Sequence, residues 1–263
     1  MSDLFALPVV SVVEIAARQI LLVLDARGTP VHSSHVTAGQ HLLLQLLDDD
    51  VPRPFALANA PDASGRLEFL IKVPEDRMPR VLALLVGDKL PASACIGRGF
   101  PFDIVRHVPG GADLWLCGVG SGVAPLRAAI EFLVSERQRY GDITLLYGVR
   151  TPDEIVFSSV PTLETKPSQQ TVRAEPRSGS GWTVRDRFGV WAGLGVRVVP
   201  VVSRPAGTSW TGATGYVQEQ LPSSFARPMS THAFVCGLPD MEKATCAALA
   251  ARGVGPDHVH RNW

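Results

Sequence analysis

The run from Trp115 to Ala129, Trp-Leu-Cys-Gly-Val-Gly-Ser-Gly-Val-Ala-Pro-Leu-Arg-Ala-Ala, constrains this chain more than any other. Leu114 to Cys117 reads as a buried strand. Gly118, Gly120 and Gly122 follow at alternate positions. Pro125 then opens a segment in which Leu126, Ile130, Leu133 and Val134 recur at helical spacing. Proline is tolerated in a first helical turn, where its missing N–H would be unpaired anyway. Strand, glycine turn and helix start together bring backbone N–H groups and a helix dipole to a phosphate. Side chains at the glycine positions would hold that phosphate off. Alone, such a turn is also just a tight strand-to-helix connection, so the rest of the chain has to decide.

With 263 residues, 46% of them hydrophobic and 19% charged, the chain can bury a full core in one large domain or two modest ones. Twenty-five acidic and 25 basic residues cancel, which gives no global charge signal for nucleic acid or a membrane surface. No apolar run approaches the roughly 20 residues of a membrane span. The first residues carry no basic segment ahead of an apolar one, so no secretory leader is expected. Cys95, Cys117, Cys236 and Cys246 are scattered, without metal or cluster spacing. They fit reduced thiols in a cytoplasmic compartment, with an organellar interior left open.

Residues 1–107 read as an antiparallel β-barrel. Val9–Ile15, Gln19–Leu24, His41–Leu47 and Leu67–Val73 are strand-like, and Met78–Leu85 has helical spacing. The prolines of Arg53–Pro61 exclude a central strand over that whole segment. Frequent turns favour a small barrel. From about residue 108, past the Pro- and Gly-rich His107–Gly111, the texture changes. Strands at Leu114–Cys117, Ile143–Tyr147, Val196–Val201 and Ala233–Cys236 alternate with helices at Leu126–Arg139 and Met241–Arg252. That alternation predicts an α/β domain over 108–263, with a parallel sheet and helices on both faces. Residues 158–183 have no usable period and read as a surface insertion that is mobile.

Four segments in register then give a family resemblance over nearly the whole chain. They are Arg53-Pro54-Phe55-Ala56, the glycine turn at Gly118, Tyr147-Gly148-Val149-Arg150, and Val235-Cys236-Gly237-Leu238-Pro239-Asp240-Met241. In this order they resemble the ferredoxin–NADP reductase superfamily, which joins an FAD-binding barrel to a nicotinamide-nucleotide-binding α/β domain. The resemblance implies that Arg53 pairs with the FAD pyrophosphate through its paired donors. Pro54 and Leu57 belong to the same motif. Phe55 stands where the family has a Tyr packed on the flavin, and Ala56 where it has a Ser or Thr near flavin N5. Ile71, Lys72 and Val73 match a strand lining the ribityl and phosphates, with the Lys72 side chain solvated. The N–H groups of the following helix start are expected at the pyrophosphate.

The same resemblance places Gly118, Gly120, Ser121, Gly122, Ala124 and Pro125 at the nicotinamide nucleotide, with Gly148 and Arg150 beside them. Cys236 and Gly237 fall near the carbon that gives up hydride, followed by Asp240 and Met241. Trp263 resembles a terminal aromatic that stacks over the flavin. Ser203, Arg204 and Tyr216 resemble positions that hold the 2′-phosphate of NADP, but similar residues occur in NAD-using members. The implied activity is hydride transfer from NADPH or NADH to FAD, then electron transfer to a separate protein or small-molecule acceptor, with Cys236 and Ala56 flanking the hydride path. A nucleotide-binding module without turnover, or an electron-transfer subunit of a larger complex, are the alternatives that Ala56 and the altered segment after Lys72 motivate.

Overall fold

A computed structural model describes residues 3–157 and 187–262. Two six-stranded sheets form the frame, and three apolar cores surround them. The first half holds β1 (Leu4–Ala16), β2 (Gln19–Asp25), α1 (Pro30–Ser34), β3 (His41–Leu44), β4 (Arg53–Ala56), β5 (Arg66–Lys72), α2 (Met78–Leu82), β6 (Lys89–Ser93) and α3 (Phe102–Arg106). Its sheet runs β4-β3-β6-β1-β2-β5 and is antiparallel throughout. β1 turns the corner of this curled sheet. Leu4–Pro8 pairs with β6, while the stretch from Val9 onward pairs with β2 through register shifts that let the strand bend. β4 lies at the edge, where Pro54 removes no needed ladder bond.

The second half holds β7 (Asp113–Val119), α4 (Val123–Ser135), β8 (Ile143–Val149), α5 (Arg187–Gly193), β9 (Val196–Val202), β10 (Ala213–Thr214), β11 (Thr231–Cys236), α6 (Pro239–Ala250) and β12 (Val259–His260). The strands are all parallel, in the order β10-β9-β8-β7-β11-β12. β8 is buried at every position, as expected of an inner strand covered on both faces. The chain moves outward from β7 through β8 and β9, then returns to β7's other side as β11. A crevice opens at that reversal, beyond the strands' carboxyl ends, which is where open α/β sheets bind ligands.

Strand alternation joins the halves. In β2 and β5, Ile20, Leu22, Leu24, Leu67, Phe69 and Ile71 point into the barrel core, whereas Leu21, Val23 and Leu70 join the core that contains α4 and β7. Phe100, from the barrel's last loop, stacks on Phe234 of β11 with centroids 4.6 Å apart. The expected strands and helices are present, with ends shifted by a few residues. α1, β4, β6, α3, α5, β10 and β12 are additional. β6 contains Pro91 and alternates poorly, so its pairing with β1 and β3 rather than local preference makes it a strand. The expected insertion at 158–183 and Trp263 lie outside the described residues. Among those described, no helix is long and apolar enough to cross a membrane, and no cluster of His, Cys, Asp or Glu is arranged to hold a metal ion.

Candidate functional site

The glycine turn sits at the crevice, and its glycines have different physical reasons. Gly120 adopts φ +53° with open space around it, so the backbone conformation itself selects glycine. A Cβ at Gly118 would lie 2.5 Å from Leu126 Cδ1, so that glycine lets α4 pack onto its own strand. A Cβ at Gly122 would run into the Cys236 carbonyl, so it lets the turn touch the end of β11. Val119, Ser121, Gly122, Ala124 and Pro125 form one wall of a cavity of about 580 Å³. Its opposite wall is the barrel: His41, Pro54, Phe55, Ala56, Leu70, Ile71 and Lys72. Cys236, Gly237, Leu238 and Asn262 close one end.

A second cavity of about 310 Å³ shares Pro54, Phe55, Ile71 and Lys72 with the first, so the two form one continuous cleft. Arg53, Val73, Pro74 and Arg77 line this further part. Arg77 is engaged by Asp50, at 2.5 Å. No ion pair or hydrogen bond holds the exposed Arg53 guanidinium among the described residues. The cleft therefore offers an apolar middle and a cation free to meet phosphate at one end, and both volumes suit small-molecule sites. These residues fit a flavin nucleotide.

The structure gives several of the expected site residues partners of their own or places them outside the cleft. Leu57, one residue past the end of β4, is fully buried in the barrel core, while Arg53 to Ala56 reach the cleft. Lys72 is not simply solvated: its Nζ donates to Glu154 Oε1 at 2.8 Å across the interface between the two halves. The helix-start amides after Lys72 are partly taken, since Arg77 N and Met78 N both donate to the Pro74 carbonyl. Gly148 is a packing glycine, for a Cβ there would come within 2.8 Å of both Val119 and Val217. Asp240 and Met241 begin α6 but line neither cavity; the Met241 methyl packs on Gly237. Arg150, Ser203 and Arg204 are brought together outside the cleft, where Ser203 N donates to the Val149 carbonyl and Arg204 N to that of Arg150. Tyr216 is 62% exposed just beyond β10.

Cys236 is 2% exposed, and its Sγ donates to Asn262 Oδ1 at 3.5 Å. Asn262 Nδ2 in turn donates to the Gly39 carbonyl of the barrel, at 3.1 Å. Burial, reinforced by the nearby Glu242 carboxylate, pushes the Cys236 thiol far above its ordinary range. It stays a thiol at neutral pH and acts as a neutral, shaped contact. Ala56 lies directly opposite His41 in the β3–β4 ladder. Burial lowers the His41 imidazole's pKa. Sequence reasoning missed both His41 and Asn262. A two-residue spacing after a strand would not single out Asn262, whose role exists only because the chain end returns to the barrel. His41 was legible in principle as a polar residue on an apolar strand.

Residues 192–247 match the family model described as an oxidoreductase NAD-binding domain. The chain is 28% identical over 265 residues to the fruit protein pKIWI502 of Actinidia deliciosa, covering 96% of this chain and 74% of that one. It is 24% identical to the anthranilate 1,2-dioxygenase electron transfer component of Acinetobacter baylyi, covering 84% of this chain and 56% of the relative. It is 25% identical to the flavodoxin/ferredoxin–NADP reductase of Escherichia coli, covering 80% and 77%. A ferredoxin NADP+ reductase from Neisseria gonorrhoeae, solved with FAD and NADP, superposes over 100% of both chains with a TM-score of 0.69 at 20% identity. With its curled antiparallel sheet, parallel-sheet half and cleft between them, the chain has the two-part fold of the ferredoxin–NADP reductases and is similar in sequence to several of them.

Proposed function

We propose that this chain is an FAD-dependent NAD(P)H oxidoreductase that hands electrons to a separate acceptor, with residues 1–107 holding the flavin and 108–263 the nicotinamide nucleotide. The continuous cleft carries the reading, because it runs from the Arg53 guanidinium past Phe55 and Ile71 to the glycine turn and Cys236. Flavin bound there would supply the hydride acceptor and the means of passing electrons onward. Arg53 holds phosphate by charge-assisted bonds. Phe55 and Ile71 give an apolar surface to a flat ring and exclude water from it. Ser121, Gly122 and the start of α4 present N–H groups and a positive dipole end to the nucleotide's phosphates. Cys236, held by Asn262, gives the nicotinamide a fixed neutral neighbour, and alignment of the two rings is the catalytic contribution.

Arg150, Ser203, Arg204 and Tyr216 are proposed to surround the adenosine end and to favour NADPH over NADH. The acceptor is a redox protein or a small oxidant. Anaerobic addition of NADPH or NADH to the flavin-loaded protein tests the reading directly. Bleaching of the flavin spectrum is expected, faster with NADPH. A colourless protein that binds only nucleotide would instead favour the module without turnover.

A further inference from the structure

The first turns of α4 are buried on every side, and in the middle of that apolar setting stands an arginine. Arg127 is 0% exposed, and its Nη2 donates to Glu68 Oε2 on β5, itself 2% exposed. Arg127 Nε also donates to Glu131 Oε1 one turn along the helix, at 3.0 Å. The same oxygen accepts from Arg187 Nη1 at 2.5 Å, and Glu131 Oε2 accepts from the barrel amide of Ala60 at 3.3 Å. Both guanidiniums lie near the Phe157 ring, at 5.4 and 5.8 Å from its centroid. Two carboxylates and two guanidiniums thus balance in charge across the junction of the halves. Burial pushes Arg127's pKa down, but Glu68 and Glu131 outweigh it, and both arginines stay charged at neutral pH.

Stability is a poor reason for such a cluster. Removing ions from water costs nearly what their attraction returns, and apolar replacements of equal volume are often neutral or better. Among the described residues, Arg127 Nη1 and Arg187 Nε and Nη2 have no hydrogen-bond partner, which adds to that cost. What the pair does supply is a fixed length between two particular places. Glu68 precedes Leu70, Ile71 and Lys72, the β5 part of the cleft's barrel wall, by two to four residues on one rigid strand. Arg127 follows Ala124 and Pro125, part of the nucleotide wall, by two to three residues on one rigid helix. Leu70 and Lys72 share Glu68's face of β5, so the tie and the wall face the same way.

We propose that Glu68 and Arg127 form a positioning couple that sets the separation and register of the two cleft walls, and so the approach of nicotinamide to flavin. The proposal rests on the functional reading above. Neither residue lines either cavity; they act through β5 and α4. The charges matter because a directional pair fixes register, whereas an apolar contact allows the helix to slide by fractions of an ångström. Misplacement on that scale is enough to slow a transfer between aligned groups.

The test is the double variant Glu68→Leu/Arg127→Met in the full-length, FAD-loaded protein, beside Glu68→Gln and Arg127→Lys. Unfolding temperature, flavin content and binding of oxidised nucleotide by difference spectroscopy are expected to stay close to the parent. The limiting rate of flavin reduction in stopped flow is expected to fall at least tenfold. The long-wavelength charge-transfer absorbance of the reduced-nucleotide complex, which reports ring stacking independently of turnover, is expected to weaken. Arg127→Lys, which keeps a cation opposite Glu68, is expected to recover part of both signals. A double variant with the parent's limiting rate and charge-transfer band overturns the positioning role and leaves the enzyme reading intact. Should that variant not fold, Glu68→Gln, nearly identical in shape, carries the test by the same two signals, and parental values for both overturn the proposal. A parent that neither nucleotide bleaches overturns the functional reading and this one with it.

Discussion

At the scale of single residues, the cleft separates groups that bind from groups that align. Arg53 faces the smaller cavity with no carboxylate partner among the described residues, so its removal disturbs little in the free protein. Arg53→Ala is expected to weaken FAD binding about tenfold, the low end for a charge-assisted hydrogen bond, as measured by fluorescence titration of the apoprotein. Cys236 behaves otherwise. Buried and held protonated, it should resist alkylation in the native protein while the half-buried Cys246 reacts, which mass spectrometry after a timed iodoacetamide pulse would show. Cys236→Ala is expected to slow flavin reduction while nucleotide still binds, because the lost contact matters most when the rings are aligned. Parental reduction with both nucleotides would remove Cys236 from the hydride path. Ala56→Ser should keep the fold and speed reduction, since it adds a hydroxyl beside His41.

At the scale of elements, the turn between β7 and α4 is over-determined, and it fails first where space is smallest. Gly122→Ala must displace the backbone at Cys236, so it is expected to destabilise the fold by about 1–3 kcal/mol and to cost nucleotide affinity more than FAD affinity. Titrating the variant with each ligand separates the two losses. At the other end of β11, His232 Nδ1 lies 3.0 Å from His260 Nε2 of β12, and the His258 ring stacks on His232 with centroids 4.2 Å apart. Burial and the His258 ring beside them lower both His232 and His260 to about 4. The unfolded chain therefore binds protons more readily than the folded one between about pH 6.5 and 4. Stability is present above that window and is lost as pH falls through it. A thermal-melt series from pH 8 to 4 should show the decline, and His260→Gln should flatten it. The helix and strand periods that flagged these elements were legible, whereas the His pair was not: residues 28 apart meet only because β12 adds to the sheet beside β11.

Across the whole molecule, the two halves are joined by polar ties set into an apolar seam. Lys72 reaches Glu154, whose backbone carbonyl also accepts from Gln19 Nε2 at 2.7 Å. Burial raises the Glu154 pKa, but the Lys72 ammonium and the Arg150 amide outweigh it, and the carboxyl ends below its ordinary value. Its stabilising contribution exists above the unfolded carboxylate pKa and is lost as pH falls through the lower folded value. Lys72→Met removes one partner of that carboxylate, leaving Arg18 at 3.7 Å and the Arg150 amide, and is expected to cost about 0.5–1 kcal/mol by denaturant unfolding at pH 7, with the deficit shrinking in acid.

The sequence by itself determined the order of events along the chain: antiparallel strands, then a glycine turn, then alternating strands and helices. Apolar period, proline and glycine are local properties, and the motifs at Arg53, Gly118 and Cys236 could be read from them and from their resemblance to a family. Only the tertiary structure decided which side chains face the cleft. The chain just past β4 turned Leu57 into the core, and a glutamate 82 positions away paired with the exposed Lys72. The returning chain end brought Asn262 to Cys236, and burial made a charged residue of α4, indistinguishable in sequence from a solvated one, the partner of Glu68. The contacts of Lys72, Cys236 and Arg127 join residues far apart in the chain, where spacing and periodicity hold no information and only tertiary packing supplies it.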